Sequence, residues 1–361
     1  MKSSKEGNLL RLIAIFLVAV TLVFTVGFAA DGMGNSQDGN TQGGTDGVGT
    51  PEIPEDSTPQ KLPDYLCYLT GLETTKESSE SEKICYVIDS SDSLYGISSS
   101  IFTLELPTED GKSRILAYID ENVKREPKIG SITKTRDYIS NVLSFFGGTL
   151  ISSGNDDKIA YSAKDVTDSV IDLTGHVGYY YTENANKIYT NKNLVEALLL
   201  SRGISASEKK EISMPFVFNG YFSAPIKSSV FARTVTIQYG EENTTKFSYS
   251  AEGKYSLTKN GTNIIDTTTG GLVSYENVFV LFTDATTYEK IDSKETVLDT
   301  ITSGVGYYFT AGTKFDIRWY CDEGGSLVFL NDSGERLTVN RGRSYIAYAK
   351  ATMYGKLLIE S

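Results

Sequence analysis

Short apolar segments separated by turn residues dominate the second half of this sequence. From about residue 229 onward, Gly, Asp and Asn punctuate these segments, and Asn260-Gly261 between two of them is a strong hairpin signal. Such spacing is typical of an antiparallel sheet or a small barrel. We therefore predict a mainly antiparallel, β-rich domain over residues 229–361. Its predicted strands include Val278–Phe282, Tyr307–Phe309, Phe315–Trp319, Leu327–Leu330 and Ser344–Ala349.

Residues 61–228 mix strand and helix patterns. Predicted strands are Ile84–Asp89, Ile101–Leu106 and Ile115–Asp120. Apolar periodicity predicts helices over Asp137–Phe146, Asp165–Leu173 and Asn193–Ser201, the last with Asn193 in a cap position. We interpret this part as a mixed α/β domain. The fold class of the chain is therefore α+β, with an α/β lobe followed by a β lobe.

The N-terminus carries an export signal. Leu12–Ala30 contains no charge, and Lys2, Lys5 and Arg11 precede it, so residues 1–30 are a cleaved signal peptide or a membrane anchor. Residues 31–60 are rich in Gly, Ser, Thr and Pro and indicate a disordered tether. We expect a membrane-bound protein on the extracytoplasmic face, or a secreted one if the signal is cleaved.

Composition excludes several function classes. The net charge of −12 argues against a nucleic-acid partner, because phosphate neutralisation needs a cationic face. One His and three Cys rule out a zinc finger or a ferredoxin, and we predict neither a metal nor a cofactor. The lone His176 is interpreted as a surface or packed side chain. Cys67 and Cys85 are a disulfide candidate outside the membrane, where a bridge would stabilise by about 3 kcal/mol.

An ordered set of segments resembles one known family. It includes Gly96-Ile97-Ser98 and the stretch that runs from there to Arg114, then Ile129-Gly130 through Tyr138, and in the second part Asn260-Gly261 and Asn340-Arg341-Gly342. Together they resemble the exported bacterial YerB-like proteins, a family that is defined by the domain of unknown function 3048. The likeness covers about residues 84–350. It implies the family's fold and an extracytoplasmic location, and the family has no known activity to transfer.

Departures from the family pattern concern polar residues. The family has His in a Pro-His-Asn-Leu-Tyr-Thr segment, where this chain has Asn186. Thr133 replaces an Arg, Ser90 replaces an Asn, and the lipid-anchor Cys is missing. If these polar residues form a family site, this chain has lost part of it.

Six polar residues are the candidates for a ligand site. Asp89 stands at the end of a predicted strand, where open α/β sheets place ligands. Carboxylates and guanidiniums near a cleft hold polar ligands by charge-assisted hydrogen bonds, but they also form structural ion pairs. Glu105 and Glu109 would suit glycoside hydrolysis only if their carboxyl groups lie about 5–9.5 Å apart. The candidates are Asp89, Glu105, Glu109, Arg114, Arg136 and Tyr189.

Three functions are compatible with the sequence. The leading hypothesis is a non-catalytic, membrane-tethered protein that binds a cell-wall component or an envelope protein. The alternative is a cell-wall hydrolase that uses the carboxylate and arginine cluster. A third is a docking module for a protein partner, which predicts an exposed apolar patch and no pocket.

Overall fold

The computed structural model describes residues 61–81, 83–120, 127–155, 170–184, 186–204, 214–266, 270–290 and 293–361. The predicted membrane segment (1–30) and tether (31–60) lie outside these ranges. In the described ranges, none of the helices is long and apolar enough to cross a membrane. Strands predominate over helices, which confirms the expectation of a β-rich fold.

Short helices and short strands make up the described part of the chain. The helices are α1 (Lys76–Glu80), α2 (Asp137–Ser140), α3 (Leu143–Phe146) and α4 (Lys192–Ser201). The first nine strands are β1 (Ile84–Asp89), β2 (Ser100–Pro107), β3 (Ser113–Ile119), β4 (Ile129–Ile132), β5 (Thr149–Ser152), β6 (Val170–Asp172), β7 (Tyr181–Glu183), β8 (Lys187–Thr190) and β9 (Val217–Phe218). The next eight are β10 (Thr234–Gly240), β11 (Asn243–Tyr249), β12 (Tyr255–Lys259), β13 (Thr262–Asn263), β14 (Ser274–Tyr275), β15 (Asn277–Thr283), β16 (Ala285–Lys290) and β17 (Ser293–Leu298). The last six are β18 (Ser303–Thr310), β19 (Thr313–Cys321), β20 (Leu327–Leu330), β21 (Thr338–Val339), β22 (Ser344–Lys350) and β23 (Leu358–Glu360).

One mixed sheet of thirteen strands organises the fold. Its main path runs β20-β19-β18-β15-β22-β2-β3-β1-β4-β8-β7, with β5 and β6 attached to β1. At its centre β22 lies parallel to both β15 and β2, so strands from both predicted domains share this sheet. Gln60–Ser361 form one compact unit. The boundary at 228/229 stays a prediction, and the sheet crosses it.

Both faces of the main sheet are buried, and alternate residues serve opposite cores. On β1, Tyr86 and Ile88 point to one hydrophobic cluster, whereas Cys85 and Val87 belong to the other. The first cluster also contains the inner side chains of a six-stranded sheet, β13-β12-β11-β10-β23 with β14 on β12. The second contains the apolar side chains of α2 and α3.

The predicted helices agree unevenly with the structure. Asn193–Ser201 is confirmed as α4, but Asn191 is its N-cap and accepts from the backbone N–H of Leu194. The region 137–146 is divided into α2 and α3, because i→i+3 hydrogen bonds interrupt the helix at Val142 and Ser144. The prediction of helix over 170–173 is wrong, since Val170–Asp172 is β6 and pairs with β5. Residues 165–169 lie outside the described ranges.

The strand predictions agree well with the structure. The three predicted strands of the first part are β1, β2 and β3, with ends that differ by at most two residues. The Asn260-Gly261 hairpin joins β12 to β13, and both turn residues have positive φ, as a type I′ turn requires.

The predicted disulfide is not formed. Cys67, Cys85 and Cys321 are all free thiols. Cys67 and Cys85 belong to the same apolar cluster, where each packs as a small hydrophobic side chain. Burial raises the pKa of the Cys85 thiol well above its usual value, which keeps it protonated and unreactive.

Candidate functional site

Glu105 lies buried between the two sheets. The side chain on β2 is fully buried, and each carboxylate oxygen accepts two hydrogen bonds. Ser113 Oγ at 2.5 Å and Lys259 Nζ donate to Oε1, while Thr245 Oγ1 and Tyr345 OH, both at 2.7 Å, donate to Oε2. Lys259 is only 4% exposed. The pair therefore joins the main sheet to β11 and β12 of the second sheet.

The surroundings of Glu105 keep it ionised. Burial alone raises the pKa of a carboxyl group, but the charge of Lys259 and the donated hydrogen bonds outweigh burial. The pKa of Glu105 is therefore below its ordinary value. A general acid in glycoside hydrolysis needs the opposite shift.

Arg136 and Glu109 form a second ion pair in the interior. Arg136 precedes α2 and is 1% exposed, and its Nη2 donates to Glu109 Oε1 at 2.6 Å. Glu295 of β17, itself buried, lies 3.9 Å from Nη1 of the same guanidinium. Glu109, in the turn between β2 and β3, is thereby tied to the start of α2 and to the β16–β17 hairpin. Sequence reasoning missed Glu295.

Asp89 and Arg114 face each other as neighbours on β1 and β3. Asp89 closes a turn: its Oδ1 accepts from the Ser91 backbone N–H at 2.9 Å and from Ser91 Oγ at 2.6 Å. The segment after β1 begins with this turn. That segment forms one wall of the cavity described next.

A cleft of about 470 Å³ opens beyond the end of β1, and we call it the groove. One wall is the segment after β1, and the other is the β12–β13 hairpin with the residues that follow it. Most of its lining groups are hydroxyls, amides or apolar surfaces. The first wall includes Ser91, Asp92, Leu94 and Tyr95, and the second includes Asn260, Thr262, Asn263 and Ile265.

Asp92 is the charged residue of the first wall, and it is paired. Its Oδ1 accepts from Lys187 Nζ, and its Oδ2 accepts from Ser131 Oγ at 2.7 Å. Partial burial raises the pKa of Asp92, but these hydrogen bonds and the charge of Lys187 lower it more, so the carboxyl titrates below its ordinary value. Lys187 follows Asn186, the position where the family pattern has His. This departure therefore lies beside the groove wall.

Tyrosine rings support the groove at Tyr95. The Tyr95 backbone exchanges two hydrogen bonds with Gly130, and its ring meets that of Tyr189 edge to face at 6.0 Å. Lys128 Nζ lies 4.4 Å from the Tyr95 ring centroid and 4.0 Å from that of Tyr189, and it pairs with Glu183 at 2.5 Å. Tyr181 stacks on Tyr189. We call these three rings, with the Lys128 ammonium over Tyr95 and Tyr189, the tyrosine cage.

A smaller pocket of about 150 Å³ adjoins the groove and shares Ser90, Ser91 and Asn260 with it. We call it the end pocket. Its far side is formed where the turn before β3 meets the β10–β11 turn. Gly111 and Gly240 touch there, and a Cβ on Gly111 would lie 2.7 Å from the Gly240 Cα. Only glycine permits this approach.

The predicted site residues do not converge. Glu105, Arg136 and Glu109 are engaged inside the protein, whereas Tyr189 supports the groove from below and Asp89 shapes one wall. Their role in ligand binding stays a prediction. The groove residues Asp92, Tyr95, Asn260 and Thr262 were missed, because Ser, Thr and Asn in turns give no signal beyond turn formation.

The described residues contain no cluster of side chains that forms a metal site or a catalytic site around the histidine. Within those ranges, no three His, Cys, Asp or Glu side chains are grouped as metal ligands. His176 is partly exposed, and its Nε2 lies 3.1 Å from Nη1 of Arg202.

The hydroxyls, amides and aromatic ring that line the groove are suited to hold a polar chain by hydrogen bonds and ring contacts.

Comparison with known proteins supports the family resemblance. Residues 235–346 match the model of the C-terminal domain of a protein family of unknown function, DUF3048. No curated protein matches the chain. The crystal structure of the YerB protein from Bacillus subtilis is similar in fold, with a TM-score of 0.67 and 18% sequence identity. The alignment covers 83% of this chain and 100% of that structure.

Proposed function

We propose that this chain, a YerB-like protein of the DUF3048 family, is an extracytoplasmic binding protein that holds a polysaccharide of the cell envelope in the groove. Its N-terminal segment would keep it at the membrane. The observation that carries the proposal is the groove and its lining. Ligand sites are concave and combine apolar surface with a few placed polar groups, as this groove does.

The lining chemistry favours a sugar chain. Sugars present hydroxyl groups on their rims and C–H groups on their faces, so they need amides and hydroxyls beside aromatic or aliphatic surface. Asn260 and Thr262 supply the former, and Tyr95 and Ile265 supply the latter.

The charges in the groove disfavour an anionic ligand. Among the described residues that line it, Asp92 and Lys259 are charged, and each is paired with an opposite charge of the protein. An anionic polymer would have to compete with Asp92 for Lys187 and with Glu105 for Lys259. We therefore expect neutral glycans to bind more tightly than polymers that carry phosphate.

Binding without turnover is favoured over hydrolysis by the state of the two glutamates. Glu105 is held ionised inside the protein, so it is not a proton donor at the groove, and Glu109 is paired with Arg136 and does not line the groove. A two-carboxylate mechanism needs one protonated and one ionised carboxyl on opposite sides of the substrate.

Calorimetric titration of the full chain in detergent micelles tests the proposal. The probes are a tetramer of N-acetylglucosamine and, as the anionic comparison, poly(glycerol phosphate). We expect the neutral tetramer to bind, and Tyr95→Ala to weaken binding about tenfold through the lost ring contact. Thr262→Trp, an exposed position, should block the groove without loss of thermal stability.

The matched control is Tyr65→Ala, which removes an exposed tyrosine that does not line the groove. It should bind like the wild type. The proposal is overturned if the neutral tetramer does not bind, or if Thr262→Trp binds it as well as the wild type does.

A further inference from the structure

The end pocket contains a buried hydrogen-bond acceptor without a donor. Asn243, at the start of β11, lines the pocket and is 8% exposed. Its Nδ2 donates to the Gly111 carbonyl and to Ser113 Oγ, both at 2.9 Å. Because a carbonyl only accepts, this bond fixes which way the amide points. Oδ1 accepts no hydrogen bond from the described residues.

Such an acceptor is costly unless a donor reaches it. A buried polar atom without a partner costs about 1–3 kcal/mol. The neighbouring backbone cannot move closer, because Gly111 and Gly240 already touch. A molecule that enters the pocket and donates to Oδ1 would satisfy it.

The charge around the pocket specifies the kind of donor. Among the described residues that line it, Asp110, Glu241 and Glu242 are exposed carboxylates, and Lys112 supplies one ammonium. Carboxylates accept hydrogen bonds and attract cations. A cationic amine satisfies both the carboxylates and Asn243 Oδ1, whereas a phosphate or carboxylate ligand satisfies neither.

We infer that the end pocket is a subsite for a primary amine of the bound chain, so that the groove prefers a glycan with free amino sugars. This inference rests on the proposed function, since the pocket continues the groove through Ser90, Ser91 and Asn260. The neutral groove would hold the sugar rings, and the end pocket would hold the ammonium.

The test titrates the full chain with glucosamine tetramer, which is cationic, and with N-acetylglucosamine tetramer, which is neutral. We expect the double variant Glu241→Gln/Glu242→Gln to weaken binding of the cationic tetramer about fivefold at low salt. Binding of the neutral tetramer should not change. Both side chains are exposed, so folding is not at risk. Asn243→Ala, checked for its melting temperature, should weaken the cationic tetramer as well.

Glu252→Gln is the matched control, an exposed carboxylate that does not line the pocket. If it weakens the cationic tetramer as much as the double variant does, the attraction is only that of an acidic protein, and the inference is overturned. It is also overturned if the wild type binds both tetramers equally and the double variant changes neither.

The same titrations distinguish a failure of the proposed function from a failure of the amine subsite. If neither tetramer binds, the groove does not hold glycans. In that case the protein is titrated with free glucosamine, and the NMR chemical shifts of the Asn243 side-chain amide show whether the end pocket binds an amine without the groove. Shifts that disappear in the double variant support the amine subsite, and their absence in the wild type overturns it.

Discussion

Two carboxylate–lysine pairs in this protein have the same chemistry and different surroundings. In the pair between the sheets, the side chains of Lys259 and Glu105 are 4% and 0% exposed. In the pair at the groove, those of Lys187 and Asp92 are 41% and 18% exposed. In both, the pKa of the carboxyl is lowered against the effect of burial.

The two pairs differ in whether water can solvate a charge that loses its partner. Between the sheets, no solvent compensates a lost partner, so the pair has to stay complete for the two sheets to pack. At the groove, solvent screens either charge, so the pair contributes little to stability and leaves the wall free to serve a ligand. We infer that the buried pair supports the fold and the exposed pair shapes the site.

The sharpest way to break this contrast is to remove the buried cation. Lys259→Met leaves the Glu105 carboxylate without its counter-ion, and we expect a loss of about 3–5 kcal/mol in the free energy of unfolding. Urea denaturation at pH 7 measures it. The double variant Glu105→Gln/Lys259→Met should recover part of the loss, because no charge then stays buried. Equal instability of both variants would contradict the role assigned to the ion pair.

Acid denaturation compares the two carboxylates directly. A carboxyl whose folded pKa is below its unfolded value stabilises the protein above that value, and the gain is lost as pH falls through the folded pKa. For Glu105, the loss should therefore begin near its ordinary value of 4.5 and grow toward lower pH. Glu105→Gln should flatten this acid limb more than Asp92→Asn does, since four groups donate to Glu105 and two to Asp92.

Removing the ammonium of the tyrosine cage tests whether the groove is held in shape from behind. Lys128→Met should weaken binding of the N-acetylglucosamine tetramer about threefold, because a cation–π contact of about 1 kcal/mol no longer orients the Tyr95 ring. Lys128→Arg should keep most of the affinity. Unchanged binding by Lys128→Met would show that Tyr95 needs no such support.

The smallest effect is expected from the exposed cation itself. Lys187→Met should leave the urea midpoint close to that of the wild type, because water solvates the released Asp92 carboxylate. A midpoint shifted as far as that of Lys259→Met would remove the distinction between the two pairs. Urea denaturation of both variants under identical conditions decides this.

Several features of the fold were predictable from local pattern. The apolar, β-branched run in Ile84–Asp89 and the Asn260-Gly261 turn each determine their conformation within a few residues, and both are confirmed. The helix predicted over 170–173 failed because β5 pairs with Val170–Asp172, and this partner is remote in the chain. Pairing between distant strands overrides local propensity.

Candidate site residues were harder to predict, for a related reason. Charged residues are natural candidates for a site, yet Glu105 and Arg136 form ion pairs within the protein, Glu105 with buried Lys259 and Arg136 with Glu109. The groove itself is lined by turn residues such as Asn260 and Thr262, which are common in every hairpin. Only their position opposite Tyr95 makes them a wall.

By itself, the sequence determined where most strands form, where the chain turns and that the fold is rich in β structure, because these depend on residues close together in the chain. It also determined which family the chain resembles, through the order of its short segments. The tertiary structure decided that one sheet spans both halves, that Glu105 meets Lys259 and that Asn243 faces a pocket. These depend on residues far apart in the chain: Phe102 of β2 pairs with Ser344 of β22, Glu105 and Lys259 are 154 positions apart, and Asn243 and Ser113 are 130 apart. Burial and partners at such distances set whether a charge supports the fold or contacts a ligand, and no local pattern encodes them.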